Sequence, residues 1–542
     1  MSTHSVTNQS PPRVGVDEFS TNLPLVEAVH RYDGAWAVPA LTEVGRVVGS
    51  PEFQADAERA NRLEPELRIF DRWGERLDEV EYDPAYHRVI AQAIAAGAHT
   101  SAWADPRPGA NVARAATFML FSQVEPGHAC PVSMTHAAVP ALAASPDLEK
   151  AWLPRLLSRD YEPALLQGKT SALVGMAMTE KQGGSDVRAN TTHAVPIGDG
   201  RFLLTGHKWF CSAPMSDAFL VLAYTDAGLS CFLVPRVLDD GTRNPFLIQR
   251  LKDKLGNRSN ASSEIEFEGT VGCLLGEEGR GVRTILEMVN RTRLDCVLGS
   301  AAGMRQAVSE AAWHVRHRAA FGAMLIDQPA MTAVIADLSL ESEAATAVAL
   351  RLARAHDADA PDADRAFRRL ATAVSKYWVC KRGPGHAYEA MECLGGNGYT
   401  EAFPLARRYR EQPVMAIWEG SGNVIALDVL RAVQKEPETL EAFDAELALA
   451  RGLHPVFDAH HDRMRARAAE IAREGSTEAA TAVRGLVAGL ALALQAALLL
   501  RHAPEAVGRA FVDARLGEDR GSLYGELPAA AHAVVPALAA RA

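Results

Sequence analysis

Met176-Ala177-Met178-Thr179-Glu180-Lys181-Gln182-Gly183-Gly184-Ser185-Asp186 is the densest chemical constellation in the chain. It leaves a short apolar strand, Ala172–Val174, and enters a Gly-Gly turn supplied with hydroxyl and backbone donors. Successive N–H groups in such a turn can cradle a phosphate, and Ser185 adds a hydroxyl. Taken alone, T-E-x-x-G-G-S-D reads as a surface turn. The stretches on either side of it decide what it is.

Downstream, to about residue 277, the chain is a succession of short β-type runs: Arg201–Thr205, Ala218–Tyr224, Ser230–Val234 and Ser263–Phe267. Gly198-Asp199-Gly200 and Asp226–Gly228 supply hairpin turns between them. About 100 residues of short strands without a long helix predict a small barrel or sandwich. A second cluster lies inside it, Gly206-His207-Lys208-Trp209-Phe210-Cys211-Ser212, ending a strand with adjacent aromatics and a hydroxyl. Aromatics on a barrel suit a flat heterocycle, and equally an ordinary barrel core.

Upstream, residues 36–172 repeat apolar positions every three to four residues and are expected to be helical. Residues 1–35, rich in Pro, Ser, Thr and Asn, are expected to form an irregular arm. Helical periodicity returns after Gly281, with candidates at 282–317, 328–355, 363–393 and 420–434, punctuated by Gly and Pro at 383–385 and 395–398. An Ala/Leu/Arg-rich helical unit follows from Glu436. The expected parts are thus 1–35, 36–172, 173–277, 278–435 and 436–542, an α+β multi-domain chain with a β-domain between helical ones.

The third cluster is Leu394-Gly395-Gly396-Asn397-Gly398-Tyr399, followed by Ile417-Trp418-Glu419-Gly420-Ser421-Gly422-Asn423. A carboxylate beside Trp418, at the Gly-rich start of an apolar helix, is a candidate for a desolvated general base. The plainer reading makes Glu419 an early-turn residue favoured by the helix dipole. Asp295, in Arg291-Thr292-Arg293-Leu294-Asp295, is the rival carboxylate, more simply read as paired with an Arg one turn back.

Composition excludes several classes. The chain has 542 residues, 48% of them hydrophobic, and a formal net charge of −11. That balance gives no global electrostatic reason to bind nucleic acid. Seven dispersed cysteines (130, 211, 231, 273, 296, 380, 393) form no C-x-x-C pair and read as reduced thiols of a cytoplasmic protein. The polar N-terminus offers no export signal. The apolar run Gly485–Leu500 is short of the roughly 20 residues a spanning helix needs and is expected to be buried in protein. His460-His461 reads as a solvated helix face, and no metal site is expected. No P-loop, H-E-x-x-H, G-x-S-x-G or dinucleotide fingerprint is present.

The strings MTEKQGGSDV (178–187), GHKWF (206–210), RLKDKLGNRSNAS (250–262), CKRG (380–383) and IWEGSGN (417–423), in this order across a helix–β–helix chain, resemble the acyl-CoA dehydrogenase family of flavoproteins. The resemblance is strong over roughly residues 20–435 and looser beyond. It implies a helical domain, a β-barrel domain and a helical bundle, here with an extra C-terminal helical domain. It also implies bound FAD. Thr179 and Met176 then fall at the flavin's pyrimidine side, and Gly184 and Ser185 at the pyrophosphate. Phe210 falls where many members place a Trp against the isoalloxazine, and Ser212 near N5. Trp209 is displaced by one position from that aromatic. Arg318, Phe321 and Gln328 resemble the segment that reaches FAD from a neighbouring subunit, which implies a homo-oligomer, a dimer or dimer of dimers. Gly395 and Gly396 resemble the glycines that admit the cofactor. Trp418 and Gly420 flank the family's base position at Glu419, and Asn423 falls near the adenine half. Position 392 is Glu where most members carry Gln, so its charge must point away from the diphosphate or meet a cation.

The resemblance further implies oxidation of an acyl-CoA thioester by α-proton abstraction and β-hydride transfer. One branch of the family is instead associated with double-stranded DNA and the response to alkylating agents, through the C-terminal unit. From 434 to 542 there are twelve Lys plus Arg against fifteen Asp plus Glu. Arg463, Arg465, Arg467 and Arg473 nevertheless share one helical segment and could make a local basic stripe.

Overall fold

The computed structural model describes residues 3–473 and 476–542. The chain divides into two compact units, Met1–Pro51 with Arg107–Val124 and Cys296–Ala542, and Glu52–Pro106 with Glu125–Asp295. The helical stretch 36–172 is therefore shared between them.

The second unit holds nine strands: β1 (Glu66–Phe70), β2 (Arg76–Glu81), β3 (Val174–Ala177), β4 (His193–Gly198), β5 (Arg201–Ser212), β6 (Ala218–Thr225), β7 (Gly228–Pro235), β8 (Leu247–Leu251) and β9 (Ser262–Leu275). Pairing runs β6-β4-β5-β9-β7, and β7 pairs back to β6, which closes a barrel. β3 joins β6 in parallel and β8 joins β9. Closure leaves β3 and β8 as the strands paired on one side only. Phe202, Leu204, Phe219, Val221, Phe232, Val234, Phe246 and Phe267 fill its core. The turns at 198–200 and 226–228 lie where expected, between β4 and β5 and between β6 and β7.

Three local expectations are corrected. The hairpin β1–β2 interrupts the helical stretch 36–172. Its turn is built on Asp71, whose Oδ1 accepts from Trp73 N and Glu75 N, with Gly74 at φ +90°. The arm 1–35 contains a helix, Leu23–Arg31, whose first turn is capped by Asn22. Pro384 does not end its helix, which runs unbroken over Asp362–Glu392.

The first unit is helical. Helices Gly281–His317 (which begins in the second unit), Pro329–Arg354, Asp362–Glu392 and Gly422–Lys435 agree with the expected periods. The apolar run 485–500 lies in the helix Ser476–His502, whose most apolar window is 72% buried. The helix packs on Pro329–Arg354, Asp362–Glu392, Gly422–Lys435, Pro455–Arg473 and Glu505–Leu516. His460 and His461 are buried rather than solvated: His460 Nε2 meets Gly489 O at 2.9 Å and His461 Nε2 meets Asp444 at 2.7 Å. Phe457, buried one turn earlier, carries the same helix face inward. All seven cysteines are free thiols, and six are buried.

Candidate functional site

In the barrel unit, β3 delivers Met176 and the turn beyond it delivers Thr179, both half-buried, then Gly184 and Ser185, both exposed. Glu180 anchors this turn from beneath. Its carboxylate accepts from the amides and hydroxyls of Thr191 and Thr192 and from Lys208 Nζ at 2.9 Å. Lys208 also donates to Leu222 O at 2.8 Å, and both charged side chains are closed to solvent. Burial pushes the Glu180 carboxyl up, but the Lys208 ammonium and the threonine donors bring it down to about 2. Thr179 O accepts from Trp209 N at 2.7 Å, which ties the turn to β5. A Cβ on Gly184 would lie 2.4 Å from Thr179 Oγ1, so the turn needs glycine there.

On β5 the strand alternation breaks. Lys208 and Cys211, three apart, are both fully buried, and the register with β9 shifts between them. This bulge leaves Phe210 50% exposed, with Ser212 half-buried beyond it and its Oγ 3.2 Å from Ser262 Oγ. Lys252 Nζ sits 3.4 Å from the centre of the Trp209 ring, so one face of Trp209 is already taken by a cation.

Glu125 was not singled out by sequence reasoning. It is fully buried and accepts from Asn61 Nδ2, Gly127 N, Ser259 Oγ and both nitrogens offered by His128. Burial pushes its carboxyl up, yet His128 and Ser259 lower it to about 2. Its one visible signal is the turn Glu125-Pro126-Gly127 between two apolar helices. Asp295 is buried, and Arg291 lies over the Trp103 ring at 4.5 Å.

In the helical unit, Trp418, Glu419 and Gly420 form a turn between helices Leu405–Met415 and Gly422–Lys435. Glu419 is half-buried at φ +57°, a conformation that costs a non-glycine residue about 1–3 kcal/mol and persists only where its surroundings impose it. What imposes it is Lys376. This lysine is 1% exposed, and its Nζ donates to Trp418 O at 2.8 Å and to Gly420 O at 2.5 Å, the carbonyls on either side of Glu419. Trp418 packs on Cys296, Cys380 and Met415, and its buried Nε1 has no acceptor among the described residues. Asn423 is exposed, with Oδ1 3.5 Å from Arg484 Nη1, and Arg484 Nε donates to Tyr377 OH at 2.9 Å. Gly395 (φ +58°) and Gly396 face open space on a one-turn helix, and Glu392 is exposed.

The segment carrying Arg318, Phe321 and Gln328 is a tight hairpin, Ala319–Ala320 against Ala323–Met324. Phe321, at its tip, is 99% exposed. Asn8 brackets Ala319, donating to its O at 2.8 Å and accepting from its N at 2.7 Å, and Gln328 Nε2 donates to Ala320 O at 2.9 Å. Arg318 donates to Asn8 O. Arg463, Arg465, Arg467 and Arg473 do not share one face. At 3.6 residues per turn, Arg463 and Arg467 align while Arg465 lies about 160° away. Arg465 meets Asp444 at 3.4 Å and Arg467 meets Glu470 at 2.5 Å.

Residues 175–270 match the acyl-CoA dehydrogenase middle domain and 279–434 its C-terminal domain, while 8–163 match the adaptive response protein AidB N-terminal domain. The chain belongs to the acyl-CoA dehydrogenase family, oxidoreductases that bind FAD. Among its relatives, AidB of Escherichia coli (strain K12) is 46% identical over 87% of this chain and 89% of its own. Acyl-CoA dehydrogenase family member 11 of Caenorhabditis elegans is 28% identical over 82% and 77%. The fold is that of C. elegans ACDH-11, solved in complex with C11-CoA, with a TM-score of 0.85 at 24% identity over 97% of this chain and 96% of that one.

Proposed function

We propose that this protein oxidises an acyl-CoA thioester, with Glu419 removing the α-proton. The observation that carries this reading is the Lys376 bracket. A buried cation spends its hydrogen bonds on the two carbonyls around Glu419 and presents that carboxylate from a strained turn. Such fixed orientation is what a base in a near-attack geometry requires.

The residues present fit a flavin nucleotide. On the barrel unit, Phe210 is a half-exposed ring beside the Ser212 hydroxyl, and the anchored turn offers Thr179, Gly184 and Ser185 as donors. On the helical unit, the buried Trp418 Nε1 is a donor waiting for an acceptor. When bound, FAD supplies the hydride acceptor. Glu180 and Lys208 hold the Thr179–Ser185 turn, Lys376 holds Glu419, and Arg484 holds Asn423. Fully exposed Phe321 at the tip of a braced hairpin supports a homo-oligomer, a dimer or dimer of dimers, in which this ring is covered. The free thiols suit the cytoplasm.

Anaerobic mixing of the FAD-loaded protein with straight and branched acyl-CoAs tests the reading. Bleaching of the visible flavin band is expected, and Glu419→Gln should abolish it. Persistence of bleaching in that variant would remove Glu419 from the mechanism.

A second reading, duplex DNA binding in an alkylation-damage response, draws on the similarity to AidB. Exposed Arg463, Arg465 and Arg473 on the helix Pro455–Arg473 are its local support. It requires binding that weakens steeply with salt and survives Glu419→Gln.

A further inference from the structure

The barrel unit contains a cleft of about 530 Å³ that none of the residues assigned above lines. Its walls come from the end of β2, the helix Pro84–Ala95, the 161–166 loop and the 213–217 turn. Three phenols face it. The Tyr82 and Tyr86 rings stack with centroids 4.5 Å apart, and the Tyr161 hydroxyl lies 2.9 Å from His87 Nδ1. Burial pushes all three phenols up, so they are neutral at physiological pH and offer π faces rather than charge.

The charges around the cleft are lopsided. Glu79, Glu81, Glu162 and Asp217 line it against a single guanidinium, Arg243. Arg243 is committed to Glu79, Lys169 to Asp217 and Arg68 to Glu81. Glu162 has no cation partner among the described residues; its carboxylate accepts from Ala164 N. In the wall, Ser216 is 2% exposed and its Oγ has no hydrogen-bond partner among the described residues. An orphaned buried hydroxyl works against the fold and calls for an explanation.

We propose that this cleft is a second small-molecule site, and that its ligand is a compact organic ammonium ion with an aromatic or alkyl body. The phenol faces and Leu165, Leu166, Leu173 and Met215 take the apolar body. The ammonium N–H groups satisfy Ser216 Oγ, and the Glu162 carboxylate and the π faces supply the attraction for positive charge. The same lining repels a polyanion, so a CoA thioester is excluded from this cleft. The assignment is independent of the dehydrogenase reading, because it uses neither Glu419 nor the Thr179–Ser185 turn.

Calorimetry on the full-length, FAD-loaded protein decides it, with phenethylamine, 2-phenylethanol and 3-phenylpropionate as matched cation, neutral and anion. Saturable binding of the amine is expected, at least about tenfold tighter than the alcohol, with none of the acid. Leu166→Arg, a change at an exposed rim position, should abolish binding. Glu162→Gln should narrow the preference for amine over alcohol, and Ser216→Ala should weaken the amine about three- to tenfold. No saturable amine binding up to about 10 mM overturns the proposal, as do equal affinities for the three probes, tightest binding of the acid, or amine binding unaffected by Leu166→Arg. Acyl-CoA bleaching measured on the same samples reports the dehydrogenase reading separately, so the failure of one leaves the other standing.

Discussion

Lys208 and Glu180 are 28 residues apart in sequence and 2.9 Å apart in the fold, and neither side chain reaches solvent. The pair sits where β5 bulges and where the Thr179–Ser185 turn leaves β3, so one contact fixes both segments. Lys208→Met leaves a buried carboxylate without its cation and is expected to cost about 3–5 kcal/mol, read as a large fall in thermal midpoint. Adding Glu180→Gln should recover part of that loss. Additive penalties would show that the two side chains do not act as a pair.

Acid stability follows from three buried carboxyls held at about 2: Glu125, Glu180 and Glu341. Burial raises each, and partners overcome it: His128 and Ser259, then Lys208, then Arg382 with Arg515. A carboxyl depressed in the fold stabilises it fully above its unfolded value and loses that contribution as pH falls through the folded value. Stability should therefore hold down to about pH 4.5 and drop between there and about pH 2, measured by denaturant titration at each pH. Flat stability across that window would contradict the pairing.

Lys376 acts on the base through the backbone. Lys376→Met should lower single-turnover flavin bleaching about 100-fold, since a displacement near 1 Å has that effect, while the midpoint for acyl-CoA binding moves much less. Lys376→Arg, which keeps the charge but not the compact ammonium, should fall between the two. An equal loss in binding and rate would instead mark Lys376 as a general structural residue.

Arg515, on the helix Glu505–Leu516, meets Asp337 at 2.5 Å and Glu341 at 3.1 Å, both 1% exposed. Arg515→Met is expected to destabilise the helical unit by about 3–5 kcal/mol. Deletion of 436–542 should give a chain that aggregates rather than a smaller dehydrogenase, checked by size-exclusion chromatography.

Phe321→Asp puts a charge on the most exposed large apolar side chain among the described residues. In a subunit contact it should lower the sedimentation coefficient toward that of smaller species without changing the circular dichroism. An unchanged coefficient would remove this ring from the interface.

Much of this was legible in long strings of sequence. The barrel, its two hairpin turns and the four dehydrogenase-type helices follow from period and punctuation. The devices that hold the site were not legible. A lysine in Ser375-Lys376-Tyr377 reads as solvated helix surface, because nothing local shows that two carbonyls from residues 418 and 420 will meet it. Lys208 and Cys211 break the strand alternation, and only the register slip against β9 explains why both point inward. The hairpin at 66–81 was hidden by its helical surroundings, although Leu67 and Ile69 alternate with polar residues. The arginines of 463–473 look like a cluster in a linear string, and helical geometry scatters them.

Arg541 bridges Glu27 and Glu343, the former across 514 positions of chain. During synthesis, the helix Leu23–Arg31 emerges long before its counter-ion exists. At about 5–20 residues per second, Glu27 waits roughly 25–100 s for position 541 to be made. Through that interval its helix has an unfilled neighbour and an unmatched charge. The helical unit thus completes this contact only once position 541 has been made, and a ribosome stalled anywhere in the hundred codons before it leaves a nascent chain that chaperones must hold.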